Sequence, residues 1–312
     1  MLFYFRISSA VLLVALFFAA GCAIRNPIRP LTAMIVRSGD LALAGNAAME
    51  RGNWDEAEKK LKEAIRLNPD EVETRLNYAE ILWIVGKRKD ALTVLYEAAE
   101  QSSKPAEKSR VAASAAEKLL VLEQNDVALS WAEQCVREAP LEYRGWWLRA
   151  RALMRIGNEY DKNGEREAAL KFYSDSCESF YRSLAYQPPE RELLPELATV
   201  QMQMSENEHA LATWQNLLRL YQSGDEPINA ICAKGDTLAL LGRVDDAAGC
   251  FQTAAAREPN NIAICLRYAE LESQAGRVEQ AQQILSRANC IAPNNPAVLN
   301  LATKIQGNNK SR

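Results

Sequence analysis

The sequence predicts an all-α protein made of stacked helical hairpins. Three features point that way: an internal period, apolar residues at helical spacing within each period, and no strand-like alternation anywhere in the chain. In the first copy Gly52 is followed by Ala57, Leu61, Ala64 and Pro69. Thirty-four residues on, Gly86, Ala91, Leu95 and Ala98 stand at the same spacings. Gly242, Ala247, Phe251, Ala254 and Pro259 repeat the pattern, and Gly276, Ala281, Leu285, Ala288 and Pro293 follow after another thirty-four residues.

Each spacing has a mechanical meaning. Residues four and then three positions apart lie along one stripe of an α-helix. Alanine at two of the three points lets a neighbouring helix come close, and the larger Leu or Phe fills the gap between them. The glycine before each such helix suits a tight turn, where a β-carbon is costly at positive φ. Proline closes the helix because it lacks the N–H and disfavours helix at the residue before it. Asp70, Asn261 and Asn295 then stand where the next helix could be N-capped.

These residues resemble the tetratricopeptide repeat, a helix-turn-helix unit of 34 residues. The family's first-helix glycine is matched by Gly45 and Gly235, with Ala79 and Ala269 in its place in the second and seventh copies, while Leu41 and Ile231 stand where tryptophan is typical. The resemblance implies a right-handed superhelical solenoid of about seven repeats, closed by a capping helix, with a groove lined by first helices. Its expected body is 38–306, with repeats near 38–71, 72–105, 106–140, 141–189, 190–226, 228–261 and 262–295, a cap at 296–306 and a polar tail at 307–312.

The middle is less regular. Ala128 and Pro140 fall where a repeat would place them, but Trp131 is one residue off the large position. From 141 to 189 the spacing stretches and predicts one lengthened hairpin. Its first helix starts at Tyr143, Trp146, Trp147 and Leu148, and its second carries Ala168, Phe172, Tyr173, Phe180 and Tyr181. Residues 190–224 form a degenerate repeat, with Ala210 and Trp214 on its second helix.

The N-terminus is of a different composition. After Arg6, residues Ile7 to Gly21 are apolar or small, a length that suits a signal-peptide core and falls short of the ~20 residues of a spanning helix. Phe18-Ala19-Ala20-Gly21-Cys22 resembles the lipobox of bacterial lipoproteins, with Ala19 where leucine is commoner. The resemblance implies removal of a signal peptide at 1–21 and acylation of Cys22 by chains such as palmitate. An uncleaved anchor helix and ordinary secretory cleavage are the alternatives. Two or more chains make a durable tether where one binds only marginally. Ala23, rather than aspartate, implies an outer-membrane lipoprotein facing the periplasm. Residues 22–37, with Pro27 and Pro30, read as the lipidated N-terminus and an extended spacer.

Composition narrows the function. A net charge of −3 without a basic stripe argues against nucleic-acid binding. The single histidine, His209, has no nucleophile beside it and removes His-rich zinc sites, and no phosphate loop is present. An enzyme is not expected, nor a cofactor, a metal or a small-molecule substrate. Cys135, Cys177, Cys232, Cys250, Cys265 and Cys290 lie in helical patterns, where a thiol behaves as a small hydrophobe. Cys232 and Cys265, at near-equivalent places on adjacent first helices, are the only candidate disulfide. Adjacent Trp146 and Trp147 cannot share a helix face, so at least one is expected to be core.

In the groove, Asn46, Asn77 and Arg110 resemble part of the clamp by which some family members hold a peptide's backbone and C-terminal carboxylate, with Ala42 where lysine would be expected. An amide can satisfy an extended peptide's carbonyl and N–H together, and a guanidinium suits a carboxylate. The expected function is a membrane-anchored adaptor for a protein or extended peptide in the bacterial cell envelope. The alternatives are a structural subunit of a fixed oligomer and a regulator of an envelope enzyme.

Overall fold

A computed structural model describes residues 28–310. The predicted signal peptide and Cys22 lie outside the described residues. The chain divides into two compact units, Met1–Glu107 and Lys108–Arg312. Among the described residues every regular element is an α-helix.

The first unit holds two hairpins. Helix α1 (Ile28–Glu50) packs on α2 (Trp54–Leu67), and α3 (Val72–Ile84) packs on α4 (Arg88–Gln101). Helix α5 (Pro105–Val121) opens the third hairpin and α6 (Asn125–Glu138) closes it. The rest of the second unit runs through α7 (Tyr143–Lys162) and α8 (Arg166–Leu184), α9 (Glu190–Gln203) and α10 (Asn207–Arg219), and α11 (Ile228–Leu240) and α12 (Val244–Arg257). It ends with α13 (Ile262–Gln274), α14 (Val278–Ile291) and the closing helix α15 (Pro296–Lys310), which packs on both.

The stripes form the core. Ala57, Leu61 and Ala64 are buried, as are Ala91, Leu95 and Ala98, Ala247, Phe251 and Ala254, and Ala281, Leu285 and Ala288. Opposite each large residue stands a small one on the first helix. A β-carbon on Gly45 would lie 2.7 Å from Leu61 Cγ, and one on Gly157 2.7 Å from Tyr173 Cε1. On Gly235 it would meet the Phe251 ring at 3.2 Å.

The irregular middle obeys the same rule in a shifted register. On α8 the buried stripe is Ala169, Tyr173 and Ser176, so Ala169 and not Ala168 takes the small position. On α6 the stripe is Ala128, Ala132 and Cys135, which leaves Trp131 half-buried beside it. The stretch at 141–189 comes from helices of 20 and 19 residues where the other second-unit hairpins use 13 to 17.

Three local features differ from expectation. Helix α1 begins at Ile28, inside the segment read as an extended spacer. Pro30 does not prevent this, because its missing N–H falls in the first turn, where no intrahelical acceptor exists. Helix α3 is preceded by Glu71 rather than Asp70 in the capping position, without a side-chain bond. The expected caps Asn261 and Asn295 do accept backbone N–H groups, from Ile264 at 3.3 Å and Ala297 at 2.9 Å. Cys232 and Cys265 are free thiols, which corrects the candidate pairing. They face different cores: Cys232 packs with Phe251 and Ile231, and Cys265 with Leu285 and Val298.

The turn inside each hairpin needs positive φ. Gly52, Gly86, Gly164, Gly242 and Gly276 supply it at φ between 72° and 84°. The third and fifth hairpins put Glu123 (φ 59°) and Ser205 (φ 62°) there instead. The backbone bonding is the same in both kinds: Asn53 N–H donates to Ala48 O at 2.9 Å, and Glu206 N–H to Gln201 O at 2.8 Å.

Three outcomes are expected. Glu123→Gly and Ser205→Gly should each raise the unfolding midpoint, by about 1 kcal/mol of stability, because left-handed backbone strains a residue with a β-carbon. A lowered midpoint in either variant would refute the strain. Thiol counts in denaturant should be equal with and without prior reductant. In the native protein Cys290 should react first among the six described cysteines, since burial, then the charge of Glu206, pushes the Cys177 thiol up to about 12.

Candidate peptide-binding face

In each repeat the residue two before the small first-helix position stands at the same level of the first-helix face. Leu43 precedes Gly45 in this way, Asn77 precedes Ala79, Arg110 precedes Ala112, Glu196 precedes Ala198 and Arg267 precedes Ala269. The chemistry of the face can therefore be followed along one row.

In the first unit the row is amide and apolar. Asn77 Nδ2 donates to Asn46 Oδ1 at 3.0 Å, so α1 and α3 hold these two amides against each other, both half-buried. The bond leaves Asn46 Nδ2 and Asn77 Oδ1 as a donor and an acceptor for a ligand. Leu43 neighbours Asn46 one turn back on α1, and Ile84 lies two turns beyond Asn77 on the same face of α3. Both are exposed large apolar side chains. From Asn77 to Ile84 the helix rises about 10 Å, the length of roughly three extended residues. Arg110 is exposed on α5 and belongs to the second unit. Asn46 and Asn77 are thus joined within the first unit.

In the second unit the first-helix face at and around this row is largely ionic, with several charges paired from one first helix to the next. Arg155, two before Gly157, donates to Leu120 O, and Ala233, two before Gly235, is apolar. Arg144 on α7 grips Glu117 on α5, Nη2 lying 2.8 Å from both carboxylate oxygens. Arg151 Nε is 3.1 Å from Glu196 Oε1, bridging α7 and α9. Arg267 on α13 pairs with Asp236 on α11, and Lys304 Nζ on α15 lies 3.1 Å from Glu270 Oε1 on α13.

Glu196 is the residue that sequence reasoning missed. Its second oxygen accepts the Trp147 indole N–H at 2.7 Å, and the Arg151 guanidinium stands 5.8 Å from the Trp147 ring centroid. Burial pushes the Glu196 carboxyl up, against the charge of Arg151 and the Trp147 hydrogen bond. The signal was the shared spacing to Ala198. Both tryptophans are half-buried: Trp147 packs on the core around Tyr173 and Phe180, and Trp146 donates to Pro140 O at 2.9 Å.

His209 is exposed on α10, its Nδ1 3.2 Å from Glu206 Oε2. Among the described residues no group of three or more His, Cys, Asp or Glu side chains could hold a metal ion, and no helix is long and apolar enough to cross a membrane.

Models of the tetratricopeptide repeat match residues 43–107, 150–179 and 238–305, together just over half of the chain. The chain belongs to the tetratricopeptide repeat family. The middle match contains Gly157 and Tyr173, the close pair of the lengthened hairpin. Among solved structures the fold is similar to that of pilF from Pseudomonas aeruginosa, at 15% identity and a TM-score of 0.54, over 78% of this chain and 99% of that one. It is also similar to a tetratricopeptide repeat protein from Parabacteroides merdae, at 14% identity and a TM-score of 0.52, over 86% and 99% of the two chains. No curated protein sequence matches the chain.

The raised Glu196 carboxyl gives a prediction with a definite sign. The folded state holds this proton more tightly than the unfolded chain, whose ordinary value is 4.5. Between 4.5 and the raised value the folded chain binds more protons, so the contribution of Glu196 to stability falls as pH rises through that window. The stability of the native protein minus that of Glu196→Gln should therefore decrease as pH rises from about 4 to about 7. Denaturant midpoints at several pH values measure it, and an increase with pH would refute the assignment.

Proposed function

We propose that this tetratricopeptide protein is an interaction scaffold that takes an extended segment of a protein partner on the first-helix face of its first unit. The observation that carries this reading is the Asn46–Asn77 bond set between exposed Leu43 and Ile84. The bond fixes both amides before a ligand arrives, which lowers the ordering cost of binding. Their free donor and acceptor match the N–H and C=O of an extended chain, and the apolar residues on either side match its side chains. Arg110, on the second unit, is proposed separately as a partner for a carboxylate.

The scaffold is further proposed to be held in the bacterial cell envelope by acylation at Cys22, as an outer-membrane lipoprotein facing the periplasm. The support is the small-residue run ending at Cys22 after an apolar core. A structural subunit of a fixed oligomer is the second reading, supported by exposed Leu170 and Tyr181 on the long helix α8.

A photo-crosslinker at Ile84 in native membranes, followed by mass spectrometry, identifies the partner. Asn77→Ala should then weaken that partner's binding at least about ten-fold, or about 1.4 kcal/mol. Arg110→Ala forms a separate arm. Retained affinity in Asn77→Ala would refute the amide site. A concentration-independent oligomer in light scattering, with no capture from Ile84, would favour the structural subunit.

A further inference from the structure

Helix α1 carries an apolar overhang. Its buried stripe runs through Ser38, Gly45 and Ala48, where Ser38 Oγ donates to Ala64 O at 2.9 Å near the end of α2. Toward the N-terminus the same three-and-four spacing continues from Ser38 through Ile35 and Met34 to Leu31. There, among the described residues, nothing covers the stripe: Leu31 is 59% exposed, Met34 42% and Ile35 48%, with Val36 beside them at 60%. Four large apolar side chains in six residues exceed the scattered exposure normal for a surface.

Charge and tether length indicate the occupant. From Met1 to Gly39 the chain has no aspartate or glutamate, and Arg25, Arg29 and Arg37 stand close to the overhang in sequence. The first carboxylate is Asp40, although the whole chain carries a net charge of −3. An apolar stripe flanked by arginines is the composition of a helix that lies in a lipid interface, where basic residues are attracted to an anionic surface. From Cys22 to Ile28 a fully extended chain reaches only about 20 Å, so an anchor at Cys22 keeps α1 close to the headgroups.

We infer that the N-terminal half of α1, through Leu31, Met34, Ile35 and Val36, docks on the surface of an anionic lipid bilayer. The inference rests on the proposed anchoring at Cys22. Docking gives the tethered scaffold a preferred orientation, with α1 acting as a foot between the lipid and the first hairpin.

The test uses the full chain on phosphatidylcholine vesicles containing about one-third phosphatidylglycerol. A spin label is placed at Met34→Cys in a Cys290→Ser background, and at native Cys290 as the exposed reference. The expected result is a several-fold higher collision rate with oxygen and a several-fold lower rate with a water-soluble nickel chelate at Met34→Cys than at Cys290. Both contrasts should shrink when phosphatidylglycerol is omitted. A label as open to the nickel chelate as Cys290, on chains that float with the vesicles, overturns the docking and leaves the anchoring standing. Low collision with both reagents means protein cover, by residues 1–27 or by a second copy if it grows with protein concentration, and also overturns it. Chains that do not float with the vesicles overturn the anchoring and the docking together.

Discussion

The contact on which the rest of the structure depends is the approach of a small first-helix residue to a large second-helix one. Gly45 with Leu61, Gly157 with Tyr173 and Gly235 with Phe251 are three instances, with separations that leave no room for a β-carbon at normal contact distance. The pair sets how closely the two helices of a hairpin lie. That distance determines where the alanines above and below on the stripe can pack. A hairpin of this size cannot bury its apolar face alone, so the next hairpin must supply the other wall. The thirty-four-residue period is the sequence record of that packing rule.

This explains which parts of the fold were legible. Where the turn glycine, both alanines and the closing proline all survive, as at 52–69 and 242–259, spacing alone places both helices. In the third and fifth hairpins the turn survives as a conformation without its glycine, since Glu123 and Ser205 hold positive φ. The backbone requirement is intact while its sequence mark is gone. In the lengthened hairpin Ala168 and Ala169 are adjacent, and only the packing of Tyr173, four residues after Ala169, against Gly157 shows that Ala169 carries the register. Pro30 reads in the sequence as part of an extended spacer for a related reason. Proline opposes a helix interior but is compatible with its first turn, and the apolar residues after Pro30 continue the α1 stripe.

The functional face was legible in kind and only partly in detail. A row of residues at fixed spacing from the small position identifies which side chains share the groove level, whereas Asn46 and Asn77 are singled out by their resemblance to the family's peptide clamp. Their mutual bond depends on the distance between α1 and α3, which spacing does not encode. Glu196 escaped because its partners come from elsewhere in the chain: Trp147 is 49 positions away, on the lengthened helix α7. Paired ions across long separations carry no local pattern.

The two units therefore present first-helix faces of different chemistry. In the second unit the pairs Glu117–Arg144, Glu196–Arg151, Asp236–Arg267 and Glu270–Lys304 tie each charge to the neighbouring helix. Half-exposed pairs of this kind contribute little to stability, about 0–1 kcal/mol each. Their larger consequence is for recognition, because a guanidinium already facing a carboxylate must give up that partner before it can accept another. The first unit's amides carry no such penalty. Each keeps hydrogen-bonding capacity after binding the other, and neither has to lose a charge partner when a peptide arrives. A ligand that recognises backbone rather than charge is thus better matched to Asn46 and Asn77, and the ion pairs of the second unit act mainly to hold successive first helices in register.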